Sequence, residues 1–130
     1  METNFNFNSQ VCTSKIQSER LLALGLKKET ADMCWTKVGP KSRTYYVPEL
    51  APINMVSWRH TPAWSLHSLI EMLKNSRITI SFIEKDTAII VERYGVFQNV
   101  CEIWDNTYEN ICDAIEWLIK EGYFNKEYLV

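Results

Sequence analysis

The stretch NTYENICDAIEWLIKEG, from Asn106 to Gly122, predicts the longest helix of this chain. Asn106 and Glu109 have the spacing of a capping box, in which two side chains satisfy backbone N–H groups of the first turn. Gly122 is a typical helix-ending residue. Between these signals the apolar residues recur at helical spacing and predict one buried face. They are Tyr108, Ile111, Cys112, Ile115, Leu118 and Ile119.

A second amphipathic helix is predicted from Ser65, which can cap it, to about Leu73. Leu66, Leu69, Ile70 and Leu73 form its apolar stripe, while His67, Ser68, Glu71 and Lys74 lie on the opposite side. One face of this helix is therefore expected to pack on the rest of the domain.

An N-terminal helix is predicted between Ser14 and Gly25. Ser14 and Gln17 fit a second capping box, and Gly25 fits a left-handed C-terminal cap. Its apolar surface is expected from Ile16, Leu21, Leu22 and Leu24. A short helical turn over residues 28–33 and a short strand over residues 34–36 are expected to follow.

Residues 77–104 predict a small antiparallel β-meander. Ile78, Ile80 and Phe82 alternate with polar residues, a turn is expected at residues 85–87, and the β-branched run 88–93 predicts a second strand. A third extended segment is expected from Gly95 to about Trp104. The predicted fold is α+β: this meander carries the two main helices on one face, with the N-terminal helix beside them.

Residues 37–64 are predicted to be irregular, because Pro40, Pro48, Pro52 and Pro62 interrupt any long regular element. The Asn-rich residues 1–12 are expected to form a flexible arm, and residues 13–130 a single α+β domain.

Composition narrows the class of protein. With 46% hydrophobic and 12% aromatic residues, the chain is expected to fold as a globular protein. It has no apolar run long enough to span a membrane and no secretory signal pattern, so a soluble, cytoplasmic protein is expected. Four scattered cysteines and four scattered glycines predict no metal site, no cofactor and no phosphate-binding loop.

The segment Val56 to Trp64, VSWRHTPAW, is the leading candidate interaction surface, since Trp, Tyr and Arg are the residues most often found at interface hot spots. A competing interpretation places Trp58 and Trp64 in the core beneath a long loop. Residues 1–83 hold ten Lys/Arg against six Asp/Glu, and residues 84–130 hold four against ten, which suits a charged partner or a homo-oligomer. The predicted surface comprises Trp58, Arg59, His60, Trp64, Tyr45 and Tyr46.

Two alternatives remain open. A small enzyme could use a site near His60, His67 and Glu71, because His67 and Glu71 are four residues apart on one helix and Cys34 or Cys101 could supply a nucleophile. Weak nucleic-acid binding is the other alternative. It would use the Lys37–Tyr46 loop, where Lys37, Lys41 and Arg43 adjoin Tyr45 and Tyr46.

Three stretches taken together carry a resemblance to a known group of proteins: SERLLALGLKKETADMCW (residues 18–35), TPAWSLHSLIEML (residues 61–73) and CDAIEWLIKEGY (residues 112–123). In this order they resemble a family of small uncharacterised proteins from gut bacterial genomes and their phage-like mobile elements. The resemblance implies an accessory role in a mobile element and no particular activity. From the residues, the leading hypothesis is a non-enzymatic protein-interaction or accessory protein.

Overall fold

A computed structural model describes residues 10–74, 78–83, 86–93, 96–99 and 106–130, with side chains over 10–74 and 106–130. Helices and antiparallel strands are both present, which confirms the α+β class. In chain order the elements are α1 (Lys15–Ala23), β1 (Met33–Val38), β2 (Tyr45–Leu50), β3 (His60–Ala63), α2 (Leu66–Leu73), β4 (Ile78–Ile83), β5 (Asp86–Arg93), β6 (Val96–Asn99) and α3 (Thr107–Lys120), with short 3₁₀ turns at Lys28–Thr30 and Lys126–Tyr128.

Helix α1 has both of the predicted end structures. The Ser14 hydroxyl accepts the Gln17 N–H, and the Gln17 side chain accepts the Ser14 N–H, so the capping box is complete. At the other end, Gly25 has a φ of 106° and its N–H donates to Leu22, while the Leu26 N–H donates to Leu21. This is the Schellman arrangement, which needs a left-handed residue at the glycine position.

The buried face of α1 differs from the predicted one. Ile16 was expected to supply apolar surface, but it is 80% exposed. Gln17, Ser18 and Leu21 are the buried residues instead. The Gln17 side chain accepts the Ser14 N–H in the cap and donates to Glu109 of α3. Gln17 therefore faces the domain, and the adjacent Ile16 faces outward.

Helices α2 and α3 begin and end close to where the sequence predicts. The Ser65 hydroxyl caps α2 by accepting the Ser68 N–H, and Asn106 caps α3 by accepting the N–H groups of Tyr108 and Glu109. The Glu109 carboxylate does not complete a capping box, because it accepts a hydrogen bond from the Gln17 amide of α1. Most of the predicted stripe residues pack inward, and the core contains Leu69, Leu73, Ile111, Ile115 and Leu118. On α2, Met72 joins this core, whereas the predicted Ile70 is only partly buried.

The predicted meander is present as an antiparallel sheet in the order β4-β5-β6. Helix α3 contacts β5, and α2 contacts α3. The predicted third strand ends at Asn99 in the structure, and its expected continuation to Trp104 lies outside the described residues.

Residues 37–64 are where the sequence-based prediction was wrong. Instead of an irregular segment they contribute most of a second antiparallel sheet, in the order β2-β1-β3. Cys34 in the central strand lies opposite Glu49 on one side and Pro62 on the other. Both strand prolines, Pro48 and Pro62, lie in edge strands, where a missing N–H breaks no ladder hydrogen bond if it faces outward.

Most of the predicted N-terminal arm, residues 1–9, lies outside the described residues. Of its last three residues, Gln10 and Cys12 contact the domain. The Gln10 side chain donates to Gln17 and accepts from Asn106, and Cys12 is fully buried.

Candidate functional site

Exposed large apolar side chains concentrate in the segment from β2 to the start of β3. Among the described residues, the other strongly exposed ones are Val11, Ile16 and Val130. Tyr45 is 58% exposed and Trp58 is 74% exposed. We call this set the hairpin surface. It is continuous in sequence, and within β2 Tyr45 lies on one face of the sheet while Tyr46 and Leu50 lie on the other. Its members are Tyr45, Tyr46, Leu50, Ile53, Val56 and Trp58.

The two tryptophans of the candidate segment have opposite environments. Trp64 is fully buried, and its indole N–H donates to the Thr30 hydroxyl at 2.9 Å. In this fold Trp64 therefore belongs to the core and is not available to a partner. The interpretation that both tryptophans lie in the core therefore holds for Trp64 and fails for Trp58, which is exposed.

The outer edge of β3 is already occupied by other parts of the chain. The His60 N–H donates to the Val56 carbonyl at 2.8 Å, and the Trp64 N–H donates to the Thr13 hydroxyl at 3.0 Å. Between them Pro62 has no N–H. The Trp64 carbonyl accepts the Thr13 N–H, so this edge offers few free groups to another strand.

The edge formed by β2 is interrupted at its centre. The Ala51 N–H donates to the Asp32 carbonyl in the direction of β1, and successive residues of a strand direct their backbone groups to opposite sides. The backbone N–H and C=O positions of Tyr46, Pro48 and Leu50 therefore point away from β1, toward the free edge. Pro48 has no N–H to donate and its ring occupies that space, a common protection of edge strands.

Cations surround Tyr46 at the hairpin end of this surface. The Lys15 Nζ lies 3.6 Å from the centroid of the Tyr46 ring, and Lys37 is the register partner of Tyr46 on β1. The Arg59 carbonyl accepts the Lys37 N–H at 2.8 Å, so Arg59 is next in the same row across the sheet. The exposed hairpin loop adds Lys41 and Arg43.

At the opposite end of β2 lies an open cleft with a volume of about 490 Å³. One wall is largely apolar and comes from the loop that follows β2, and the other wall comes from the 3₁₀ turn before β1. The lining residues are Lys28, Glu29, Ala31, Asp32, Ala51, Pro52, Ile53, Asn54 and Met55.

The Asp32 carboxylate of this cleft also holds the start of α2. It accepts the Ser65 N–H at 2.9 Å and a hydrogen bond from the Ser65 hydroxyl. Burial acts to raise the pKa of Asp32, but the hydrogen bonds from Ser65 and Ser68 outweigh it and lower the pKa. Asp32 is therefore ionised at neutral pH.

The residues of the enzyme alternative have separate roles. The His60 Nδ1 accepts the Val56 N–H at 3.0 Å in the loop before β3. His67 is 82% exposed, with its Nε2 3.9 Å from Glu71. Lys74 is closer to Glu71, at 2.7 Å, and its hydrogen bond lowers the pKa of that carboxylate. The walls of the cleft are built from other residues than these.

The described thiols are poorly suited to nucleophilic chemistry. Cys12, Cys34 and Cys112 are free and buried. Burial, with smaller contributions from Asp32 and Cys34, raises the pKa of Cys12 to about 11, and burial raises the pKa of Cys112 to about 12. Both stay protonated near neutral pH, and the thiolate is the reactive form. Cys101 lies outside the described residues.

The described part of the chain holds no group of three or more His, Cys, Asp or Glu side chains arranged to bind a metal ion. Within the same residues, no helix is long and apolar enough to cross a bilayer.

Comparison with known proteins gave no relative: no protein-family model, curated protein or solved structure matches this chain. The interpretation of the site therefore depends on its own residues. Sequence reasoning missed the contributions of Lys15, Leu50 and Ile53 to this surface. The only local signal for it was Pro48 beside two tyrosines, a combination that suits an exposed edge strand.

Proposed function

We propose that this chain is a non-enzymatic protein-interaction module that binds a protein partner through the hairpin surface. The observation that carries the proposal is the concentration of exposed aromatic and aliphatic side chains, including Trp58 and Tyr45, in one continuous segment. Scattered exposed apolar residues need no explanation, but a concentration of them favours an interaction site. Trp and Tyr are also the residues most enriched at binding hot spots.

The blocked edges of the β2-β1-β3 sheet support this proposal. The outer edge of β3 is bonded to Thr13 and Val56, and the β2 edge is interrupted by Pro48. A partner would therefore bind through the exposed side chains more readily than by adding a strand to the sheet. Side-chain binding of this kind requires no chemistry from the protein.

Nucleic-acid binding through the Lys37–Tyr46 loop is the second candidate. The arrangement of Lys15, Lys37 and Arg59 around Tyr46 favours it, because cations beside an exposed ring can bind phosphate while the ring stacks on a base. It ranks second because Leu50, Ile53 and Val56 extend the surface with aliphatic groups, which do not stack on bases.

Other aspects of the function remain predictions. An accessory role in a mobile element rests on the family resemblance alone, and cytoplasmic location rests on the composition of the sequence. The small enzyme using His60, His67 and Glu71 is disfavoured because the His60 Nδ1 already accepts the Val56 N–H, while His67 and Glu71 form an exposed pair on α2.

The test is affinity purification of the tagged chain from its native cell, followed by mass spectrometry. A Tyr45→Ala, Trp58→Ala double variant should lose the partner, whereas Val130→Ala, which removes an exposed apolar group outside the hairpin surface, should retain it. Circular dichroism must show that both variants fold. Equal recovery of the same partners by the double variant and the wild type would contradict the proposal.

A further inference from the structure

We infer that the partner segment is acidic at one end and carries one large apolar side chain at the other, so that it lies along β2 between the cation cluster and the cleft. This inference rests on the proposed function, since it specifies the chemistry of the partner that the hairpin surface binds. One end of β2 suits the acidic part of such a segment, and the other end suits the apolar part.

The hairpin end of β2 carries several cations. Lys15, Lys37, Lys41, Arg43 and Arg59 lie around Tyr46 or in the adjacent loop. Within β2 the one acidic residue is Glu49, whose carboxylate accepts a hydrogen bond from the buried Thr36 hydroxyl at 2.9 Å. The hairpin end is therefore strongly positive, and an acidic segment complements it.

The cleft beyond Leu50 offers an apolar site at the other end of β2. Ala51, Pro52, Ile53 and Met55 supply an apolar wall, and the cavity is large enough for one bulky side chain. Its other wall carries Glu29 and Asp32 against one cation, Lys28, so it is net negative and would disfavour a second acidic group. An apolar anchor suits this end, and the acidic residues of the partner suit the other.

The length of β2 sets the spacing between these two features. Tyr46, beside the cations, and Ala51, where the cleft begins, are five residues apart, a distance of roughly 17 Å at about 3.3 Å per residue. An extended partner segment would therefore place its anchor about five or six residues from its acidic end. Because Pro48 interrupts the β2 edge, the segment would be held mainly by side chains.

Selection from a phage-displayed library of random peptides, with the purified chain of residues 1–130 as bait, tests the inference without knowledge of the natural partner. Enriched peptides should carry two or more Asp or Glu residues and a Leu, Ile, Met or Phe about five or six positions away. The charge-reversed variant Lys41→Glu, Arg43→Glu should bind these peptides about tenfold more weakly or worse. Lys120→Glu, Lys126→Glu changes the net charge equally on exposed sites at α3 and the C-terminal turn, and it should bind them like the wild type.

Three outcomes would overturn the inference. The first is the enrichment of peptides that lack acidic residues but no longer bind the Tyr45→Ala, Trp58→Ala variant. This result would agree with the proposed function and contradict the inference that the partner is acidic. A second contrary outcome is the enrichment of no peptide. The third is salt-sensitive binding of a fluorescein-labelled oligothymidine of twelve nucleotides that outcompetes the selected peptides, which would favour nucleic acid and contradict the proposed function as well.

Discussion

Thr13 and Trp64 exchange two hydrogen bonds: the Thr13 N–H donates to the Trp64 carbonyl at 2.8 Å, and the Thr13 hydroxyl accepts the Trp64 N–H at 3.0 Å. The Trp35 indole N–H donates to the Thr13 carbonyl at 2.8 Å. Residues 13, 35 and 64 are far apart in sequence, so this junction ties α1 to the β2-β1-β3 sheet. Thr13 and Trp64 are both fully buried.

Thr13→Val should therefore destabilise the protein by about 1–3 kcal/mol, because it leaves the buried Trp64 N–H without its acceptor while keeping the side-chain shape. Urea unfolding followed by circular dichroism measures this change. Thr13→Ser keeps the hydroxyl and should lower the free energy of unfolding by less. Equal stability of the valine variant and the wild type would show that the junction contributes little.

The pair of Asp32 and Ser65 predicts a dependence of stability on pH. The pKa of Asp32 is lowered in the folded state, so its contribution to stability is present above the unfolded pKa and is lost as pH falls through the folded pKa. The difference in unfolding free energy between the wild type and Asp32→Asn should thus shrink below about pH 4.

Denaturant unfolding of both proteins at pH 7 and pH 3 provides this comparison. Glu29→Gln is a matched control, since Glu29 is an exposed carboxylate that lines the same cleft. If Asp32→Asn lowers the free energy of unfolding by the same amount at both pH values, the charge of the Asp32 carboxylate does not have this role.

Arg20 joins α1 to α3 through several carboxylates. Its Nη2 lies 2.8 Å from both Asp113 and Glu116, and its Nη1 lies 3.9 Å from Glu109. Arg20→Met should cost about 1–2 kcal/mol, because it removes two charge-assisted hydrogen bonds and leaves three carboxylates close together. Arg20→Lys should recover only part of this loss, since an ammonium group lacks the planar fork of donors.

A double-mutant cycle with Glu116→Gln would measure the coupling directly. A coupling free energy near zero would mean that the two side chains act independently. The hydrogen bond from Arg20 also lowers the pKa of Glu116, so the coupling should weaken as Glu116 becomes protonated in acid.

Gly39 controls the shape of the hairpin loop. Its φ is 94°, and a Cβ placed there would lie 2.5 Å from the Arg43 carbonyl oxygen. Gly39→Ala should therefore cost about 1–3 kcal/mol and weaken partner binding by moving Lys41 and Arg43. Gly122→Ala is the matched control, because its φ is also positive but nothing lies within 4 Å of the added Cβ. If thermal denaturation found the two variants equally stable, the close contact at Gly39 would be unimportant.

The helices could be predicted from the sequence because their signals are local. The Ser14 cap, the Gly25 C-terminal structure and the stripe of α3 each depend on residues within a few positions of one another. The β2-β1-β3 sheet could not be predicted in this way. Its pairs join Cys34 to the distant residues Glu49 and Pro62. Pro48 and Pro62 are compatible with strands only because their backbone nitrogens face the free edges of the sheet, which the local sequence does not show.

The candidate site was predicted only in part, for a similar reason. Trp58 and Trp64 lie in the same candidate segment, and it is the distant Thr13 and Thr30 that bind Trp64 into the core. The position of Lys15 over the Tyr46 ring likewise depends on the tertiary fold.

Photo-cross-linking in the native cell is the most direct test of the hairpin surface. The photoreactive residue p-benzoylphenylalanine would replace Trp58 or Tyr45 in turn, and the exposed Lys120 of α3 would be the control position. A partner adduct of higher mass is expected from positions 58 and 45 and none from position 120. Absence of an adduct at 58 and 45, or the same adduct at 120, would contradict the proposal.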